Sequence, residues 1–120
     1  MSRILVVEDN EPNLKLARLV LERAGHTVLS ASDGETGIRL AAAEHPDLIL
    51  MDVQMPGIDG LEATRTLKRD PATAGIKVIA LTALAMKGDE ERILAAGCDG
   101  YLAKPYQYRE LIDKVAAVLG

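Results

Sequence analysis

The 120-residue chain has no phenylalanine and no tryptophan, and its three tyrosines, Tyr101, Tyr106 and Tyr108, all lie beyond residue 100. Its core must therefore be packed from aliphatic side chains, which dominate a hydrophobic content of 48%. The single cysteine, Cys98, excludes an internal disulfide and fits a reducing compartment, where it serves as a small packing residue. Net charge is −4 and lysines and arginines form no cluster. Direct nucleic-acid binding is thus disfavoured, because neutralising phosphates takes a concentrated positive patch. Only a four-residue apolar run precedes Glu8, too short for a signal-peptide core, and no run approaches a membrane span. The chain reads as cytoplasmic, without a membrane partner. Repeats, low-complexity segments and linker-like stretches are also missing. The length suits one domain, residues 1–120, with no effector domain expected.

What is present is a set of short apolar runs with reactive ends. Ile4-Leu5-Val6-Val7 runs into Glu8-Asp9, Leu48-Ile49-Leu50-Met51 into Asp52, and Val78-Ile79-Ala80-Leu81 into Thr82. Gly100-Tyr101-Leu102-Ala103 runs into Lys104-Pro105. Uninterrupted runs of this length suit strands buried on both faces of a parallel sheet. Parallel strands share one carboxyl edge, where ligands bind. Residues far apart in the chain would meet there.

Helical signals separate the runs. Pro12 suits a first helical turn and Gly25 a stop, and Asp33 caps a helix ending before His45-Pro46. Asp59 caps a helix over about Gly60 to Arg69, and a fourth runs from about Lys87 to Ala96 before Gly97. The last begins near Tyr106, with Leu111, Ile112, Val115, Val118 and Leu119 on one stripe. With Thr27 to Ala31 as a second strand, strand and helix alternate five times. This predicts an α/β fold, a flavodoxin-like (βα)5 open parallel sheet of order 2-1-3-4-5 with helices on both faces.

In that order strand 1 adjoins strand 3, so Glu8, Asp9 and Asp52 come together. Three carboxylates repel unless a cation joins them, and an oxygen-only set suits Mg²⁺ or Mn²⁺. Lys104 adds a positive charge for phosphate oxygens and Thr82 a hydroxyl. Together they compose a phosphoryl-transfer site in which Asp52 could become an aspartyl phosphate.

These residues carry a family likeness. Glu8-Asp9, Asp52, the Met55-Pro56-Gly57-Ile58-Asp59-Gly60 loop, Thr82-Ala83, and Tyr101 before Lys104-Pro105 resemble the receiver domain of two-component response regulators. The likeness extends over essentially the entire length. Asp47 to Asp52 and Ala85 to Arg92 look most like stand-alone, single-domain regulators of the cell-division DivK type. The resemblance implies that Asp52 accepts a phosphoryl group from a histidine kinase or a histidine phosphotransfer protein. It implies that Asp9, Asp52 and the Gln54 backbone carbonyl hold Mg²⁺, with Glu8 acting mainly through a metal-bound water. Lys104 would pair with Asp52 and then with its phosphate, across a cis Lys104-Pro105 bond. Thr82 and then Tyr101 would move inward, changing a surface of helix 4, strand 5 and helix 5 read by a downstream effector protein. It further implies an activity limited to the protein's own phosphorylation and dephosphorylation.

Departures from the family are few. Leucines stand in helix 1 where relatives often have Phe, and the first acid is Glu where many have Asp. In the family the positions of Gln54 and Leu84 flank the path of the hydrolytic water; either the apolar Leu84 cannot orient that water, and slow self-dephosphorylation is expected, or Leu84 is simply a surface residue. In helix 1, Leu14, Ala17, Val20, Leu21 and Ala24 share one face, while Leu16 and Leu19 lie with Pro12 on a flank. That flank is either a contact with a neighbouring helix or a docking strip for a partner. His26 and His45 read as exposed turn residues, and Lys87 to Arg92 as a solvated face bordering the output surface. Among other functions, a flavodoxin-type cofactor binder would need a glycine- and hydroxyl-rich phosphate cradle where Glu8-Asp9-Asn10-Glu11 stands. A phosphatase of the haloacid-dehalogenase type would need a second Asp where Gln54 stands. A receiver that only docks would not need the full set of site residues.

Overall fold

The computed structural model of the protein describes residues 2–83 and 87–120, apart from the side chain of Lys87. Strands and helices alternate as β1 (Arg3–Val7), α1 (Glu11–Arg23), β2 (Thr27–Ala31), α2 (Gly34–Glu44), β3 (Leu48–Asp52), α3 (Gly60–Arg69), β4 (Lys77–Thr82), α4 (Lys87–Ala95), β5 (Gly100–Ala103) and α5 (Tyr108–Leu119). The five strands form one sheet, β2-β1-β3-β4-β5, with every neighbouring pair parallel. The flavodoxin-like order anticipated from the sequence is the one observed.

Successive strand residues point to opposite faces, and both faces are covered. Leu5, Val7, Ile49, Met51, Val78 and Ala80 join Leu61 and Leu67 of α3 and Ile93 of α4 in one cluster. Ile4, Val6, Leu48, Leu50, Ile79 and Leu81 join Leu21 of α1 and Leu111 and Val115 of α5 in the other. Burial on both sides explains why the runs show no polar alternation. Each fully buried Leu or Ile contributes about 1.5–3 kcal/mol, so aliphatic packing alone can hold the sheet between its helices.

Three helix starts are fixed by side chains. Asn10 accepts the Asn13 N–H at 3.0 Å, Asp33 the Thr36 N–H at 2.7 Å and Asp59 the Glu62 N–H at 2.8 Å. Each cap is worth about 1 kcal/mol and sets the angle at which a loop leaves the sheet edge.

Four details differ from the sequence reading. The final helix starts at Tyr108 instead of near Tyr106, because Gln107 is its cap and donates its N–H to Glu110 Oε1 at 2.9 Å. Helix α4 stops at Ala95, one residue before Ala96. Ala24 is exposed, since it is the C-cap of α1 and has already left the buried face. His26 is half-buried with its Nδ1 shielded from solvent, whereas His45 is exposed, ending α2 in the left-handed region at φ 48°. Cys98 is buried, with its Sγ 3.9 Å from Thr64 Oγ1, as expected of a packing residue.

The register brings the reactive ends together. Val7 pairs with Met51, so Glu8 and Asp52 follow side by side; Asp52 pairs with Leu81, and Thr82 with Ala103, just before Lys104.

Candidate functional site

Strands β1, β3, β4 and β5 end in a site residue or run directly into one, which explains the burial of the charges. Glu8 is 3% exposed, Asp52 2% and Thr82 fully buried, while Asp9 is exposed at the rim. One carboxylate oxygen from each of Glu8, Asp9 and Asp52 lies within 4.8 Å of the other two. Lys104 reaches across from β5, and its Nζ is 3.3 Å from both Glu8 Oε1 and Asp52 Oδ1. Two residues beyond Glu8 and beyond Asp52, the backbone turns back on the acid. Asn10 N–H donates to Glu8 Oε2 at 3.3 Å, and Gln54 N–H to Asp52 Oδ1 at 3.1 Å. The Lys104 N–H donates to the Thr82 carbonyl at 2.7 Å, fixing the start of the loop that carries the ammonium. The Lys104-Pro105 bond is cis, as the resemblance implied.

Three acids around one ammonium leave an excess of negative charge in a buried place. Burial, reinforced by the hydrogen bond and charge of Asp52, pushes the Glu8 carboxyl up from 4.5 to about 7, against the opposing pull of Asn10 and Lys104. Without a counter-ion, Glu8 takes a proton near neutrality. An oxygen-only donor set with surplus negative charge is what a hard divalent cation requires, so the residues fit one.

Two parts of the site were not legible as such in the sequence. Gln54 was expected to offer its backbone carbonyl to a metal and to flank the path of the hydrolytic water, and beyond this its side chain bridges the cleft: Nε2 donates to Thr82 Oγ1 at 3.3 Å, and Oε1 accepts the Ala83 N–H at 3.1 Å. Tyr106 is the other. Its hydroxyl is held above its ordinary range by burial and then by the charges of Glu8 and Asp52, which places it beside the acids. Only its position two residues after Lys104 could have signalled this.

Tyr101 is half-buried against the core cluster of α3 and α4. Its hydroxyl is pushed up by burial and then by the Glu90 carboxylate of α4, and its packing on the cluster that contains Ile93 sets the ring on the α4 side. Leu84, Ala85 and Met86 lie outside the described residues, and with them the position expected to slow dephosphorylation. Leu16 and Leu19 are 42% and 50% exposed, so the flank of α1 is a solvent-facing strip rather than a helix contact. Leu16 borders a cavity of about 440 Å³ that opens beside Lys104, with Pro105, Tyr106 and Tyr108 on its other walls. Among the described residues, no helix is long and apolar enough to cross a membrane.

Residues 4–116 match the response regulator receiver domain family. The polar-differentiation response regulator DivK of Brucella ovis is 46% identical over 117 residues, covering 98% of this chain and 95% of that protein. Among solved structures, the receiver domain of sensor histidine kinase PA1611 from Pseudomonas aeruginosa has a magnesium ion coordinated in its active site cleft. It is 38% identical, with a TM-score of 0.91 over 99% of this chain and 98% of that one. Chemotaxis protein CheY4 of Vibrio cholerae is 25% identical and superposes with a TM-score of 0.93 over 98% of both chains. Likeness of this extent, in sequence and in backbone alike, leaves one assignment: the chain belongs to the response regulator receiver domain family, the phosphorylation-controlled switches of two-component signalling.

Proposed function

We propose that Asp52 is the phosphoryl acceptor and that a phosphohistidine on a histidine kinase or phosphotransfer protein is its donor. The observation that carries this reading is the buried Asp52 carboxylate, 3.3 Å from an ammonium and grouped with two further acids at the carboxyl edge of the sheet. In the transfer, the donor's nitrogen–phosphorus bond breaks as a carboxylate oxygen of Asp52 forms the new oxygen–phosphorus bond, and the imidazole leaves. Mg²⁺, with Mn²⁺ as a substitute, would be held by Asp9, Asp52 and the Gln54 backbone carbonyl, with Glu8 reaching it through water. Bound there, the ion supplies neutralisation of the charge that gathers on the phosphoryl oxygens. Lys104 shifts its ion pair from the carboxylate to the new phosphate, a charge-assisted contact. Thr82 is drawn toward the same oxygens, and Tyr101 follows from its position against Glu90, biasing the α4–β5–α5 surface toward a second arrangement that an effector protein reads. The catalysis is confined to the protein's own phosphorylation and its reversal. The name of the Brucella relatives makes control of polar differentiation the first process to examine.

Incubation with acetyl phosphate and Mg²⁺ is the test. Intact mass is expected to rise by one phosphoryl group in the wild type and to stay constant in Asp52→Ala and in chelator. A gain that survives in Asp52→Ala, or none in the wild type, overturns the assignment.

The donor protein docks, in this reading, on the strip formed by Leu16 and Leu19 and the adjoining cavity wall of Pro105 and Tyr108, next to the acceptor. Leu16→Asp is therefore expected to slow phosphotransfer from a phosphohistidine protein by about tenfold, the scale of one buried anchor of more than 1 kcal/mol. Phosphorylation by acetyl phosphate, which needs no docking surface, should be unaffected. Equal slowing with both donors would place the effect in the site instead of the interface.

A further inference from the structure

Asp52 and Thr82 are separated by the β3–β4 pairing, and the side chain of Gln54 closes that gap. Its carboxamide engages two consecutive residues at once. Nε2 donates to the Thr82 hydroxyl oxygen and Oε1 accepts the Ala83 N–H, at 3.3 and 3.1 Å. Its own backbone N–H is tied to Asp52 Oδ1, so the bridge springs from a fixed base. Both ends of the span are set by the sheet: Asp52 faces Leu81 in register, and Thr82 and Ala83 follow.

A phosphoryl group on Asp52 offers acceptor oxygens and no donors. The polar groups of this chain that it would meet across the cleft include the Thr82 hydroxyl and the Ala83 N–H. An N–H has one proton to give, and here the Gln54 carbonyl oxygen already receives it. We infer that the Gln54 side chain is a latch on the unphosphorylated state, its carbonyl oxygen holding the Ala83 N–H and its amide tethering the Thr82 oxygen from the Gln54 side, so that phosphorylation must displace it before the Ala83 N–H can turn to the phosphate and Thr82 can move toward it. The inference rests on Asp52 being the phosphoryl acceptor. It assigns the side chain at position 54 a role of its own, separate from the backbone carbonyl of the same residue. The latch is a positioning device: it biases the equilibrium between two arrangements and takes no part in bond making. Its two hydrogen bonds, one at the long end of the useful range, set how strongly the resting arrangement is favoured. A shorter or apolar residue at 54 cannot make both.

Beryllofluoride, a stable stand-in for the phosphoryl group on a carboxylate, is the probe, titrated calorimetrically into the full chain at saturating Mg²⁺. Gln54→Met, similar in length but without the carboxamide, is expected to bind it about five- to tenfold more tightly than wild type, the scale of one to two net hydrogen bonds. Gln54→Asn, one methylene too short to span the cleft, is expected to move in the same direction. Unfolding midpoints separate a latch from a merely structural contact. A latch predicts that Gln54→Met destabilises the free protein but not the beryllofluoride-bound form. Equal destabilisation of both forms, with affinity no tighter than wild type in either variant, overturns the latch. Failure of the wild type to take up beryllofluoride would overturn the acceptor assignment, and the latch with it.

Discussion

Gly60→Ala is expected to be the most damaging small substitution in this protein. A Cβ at position 60 would sit 2.2 Å from the Asp52 carbonyl oxygen, 2.8 Å from its carbonyl carbon and 2.9 Å from Met51 Cγ. Two of these three neighbours are backbone atoms at the end of β3, which cannot swing aside as a side-chain tip can. Either α3 retreats from the sheet or the last residue of β3 is pushed, and each route disturbs the packing of Leu61 and Leu67. A loss of about 3 kcal/mol is expected, the upper range for overpacking a tight site. Because the atom displaced belongs to Asp52 itself, phosphorylation by acetyl phosphate should fall on the order of tenfold to a hundredfold in the protein that remains folded. Gly57 provides the internal contrast. It lies in the loop just before α3, at φ 77°, with nothing within 4 Å of its missing Cβ. Gly57→Ala should cost only the backbone strain of a left-handed residue, about 1–2 kcal/mol. Urea unfolding of the pair decides the matter, and equal losses would show that steric contact at β3 is not the determinant.

The second large effect concerns protons and metal at Glu8. Its carboxyl is raised from 4.5 to about 7 in the folded protein. A raised value means that the folded state binds this proton more tightly than the unfolded chain does. The stabilisation is complete below about pH 4.5 and is lost as pH climbs through about 7, up to roughly 3 kcal/mol in all. The metal-free protein should therefore weaken over this window. Glu8→Gln, which never ionises, should lack that component of the slope. Ordinary acid denaturation runs in the opposite sense: Asp33, lowered mainly by the Thr36 N–H, protects the fold above its own titration and fails below it. The comparison between wild type and Glu8→Gln isolates the Glu8 component. Mg²⁺ should stabilise the wild type far more at about pH 8 than at about pH 5, since a proton on Glu8 removes a negative charge that would otherwise favour the cation. Parallel pH profiles for wild type and Glu8→Gln in chelator would refute this account.

The sequence was most legible where chemistry and periodicity coincide. Four apolar runs ending in Glu8-Asp9, Asp52, Thr82 and Lys104 gave both the sheet and its functional edge, because in a parallel sheet chain direction alone decides where side chains gather. Asp33 and Asp59 were readable as caps from local spacing, and the structure shows both bonds. Contacts that depend on the path of loops were not readable. Lys68 looks like any surface lysine in α3, yet its Nζ donates to the Ala74 and Ile76 carbonyls at 3.2 and 2.8 Å and pairs with Asp99 at 3.1 Å. The Gln54 bridge is of the same kind, since nothing in a glutamine announces which of two strand ends it will span. The start of α5 was misplaced because a glutamine cap is a weaker local signal than the Asp and Asn caps elsewhere.

The tyrosines carry a practical consequence. Tyr101 lies on β5, Tyr106 beside the acids, and Tyr108 at the exposed first turn of α5. With no Phe, no Trp and no internal disulfide in the chain, the near-ultraviolet circular dichroism comes from these three positions alone. In the near-ultraviolet the rest of the molecule is dark, so this protein carries an intrinsic reporter confined to the region in which the proposed switch would act.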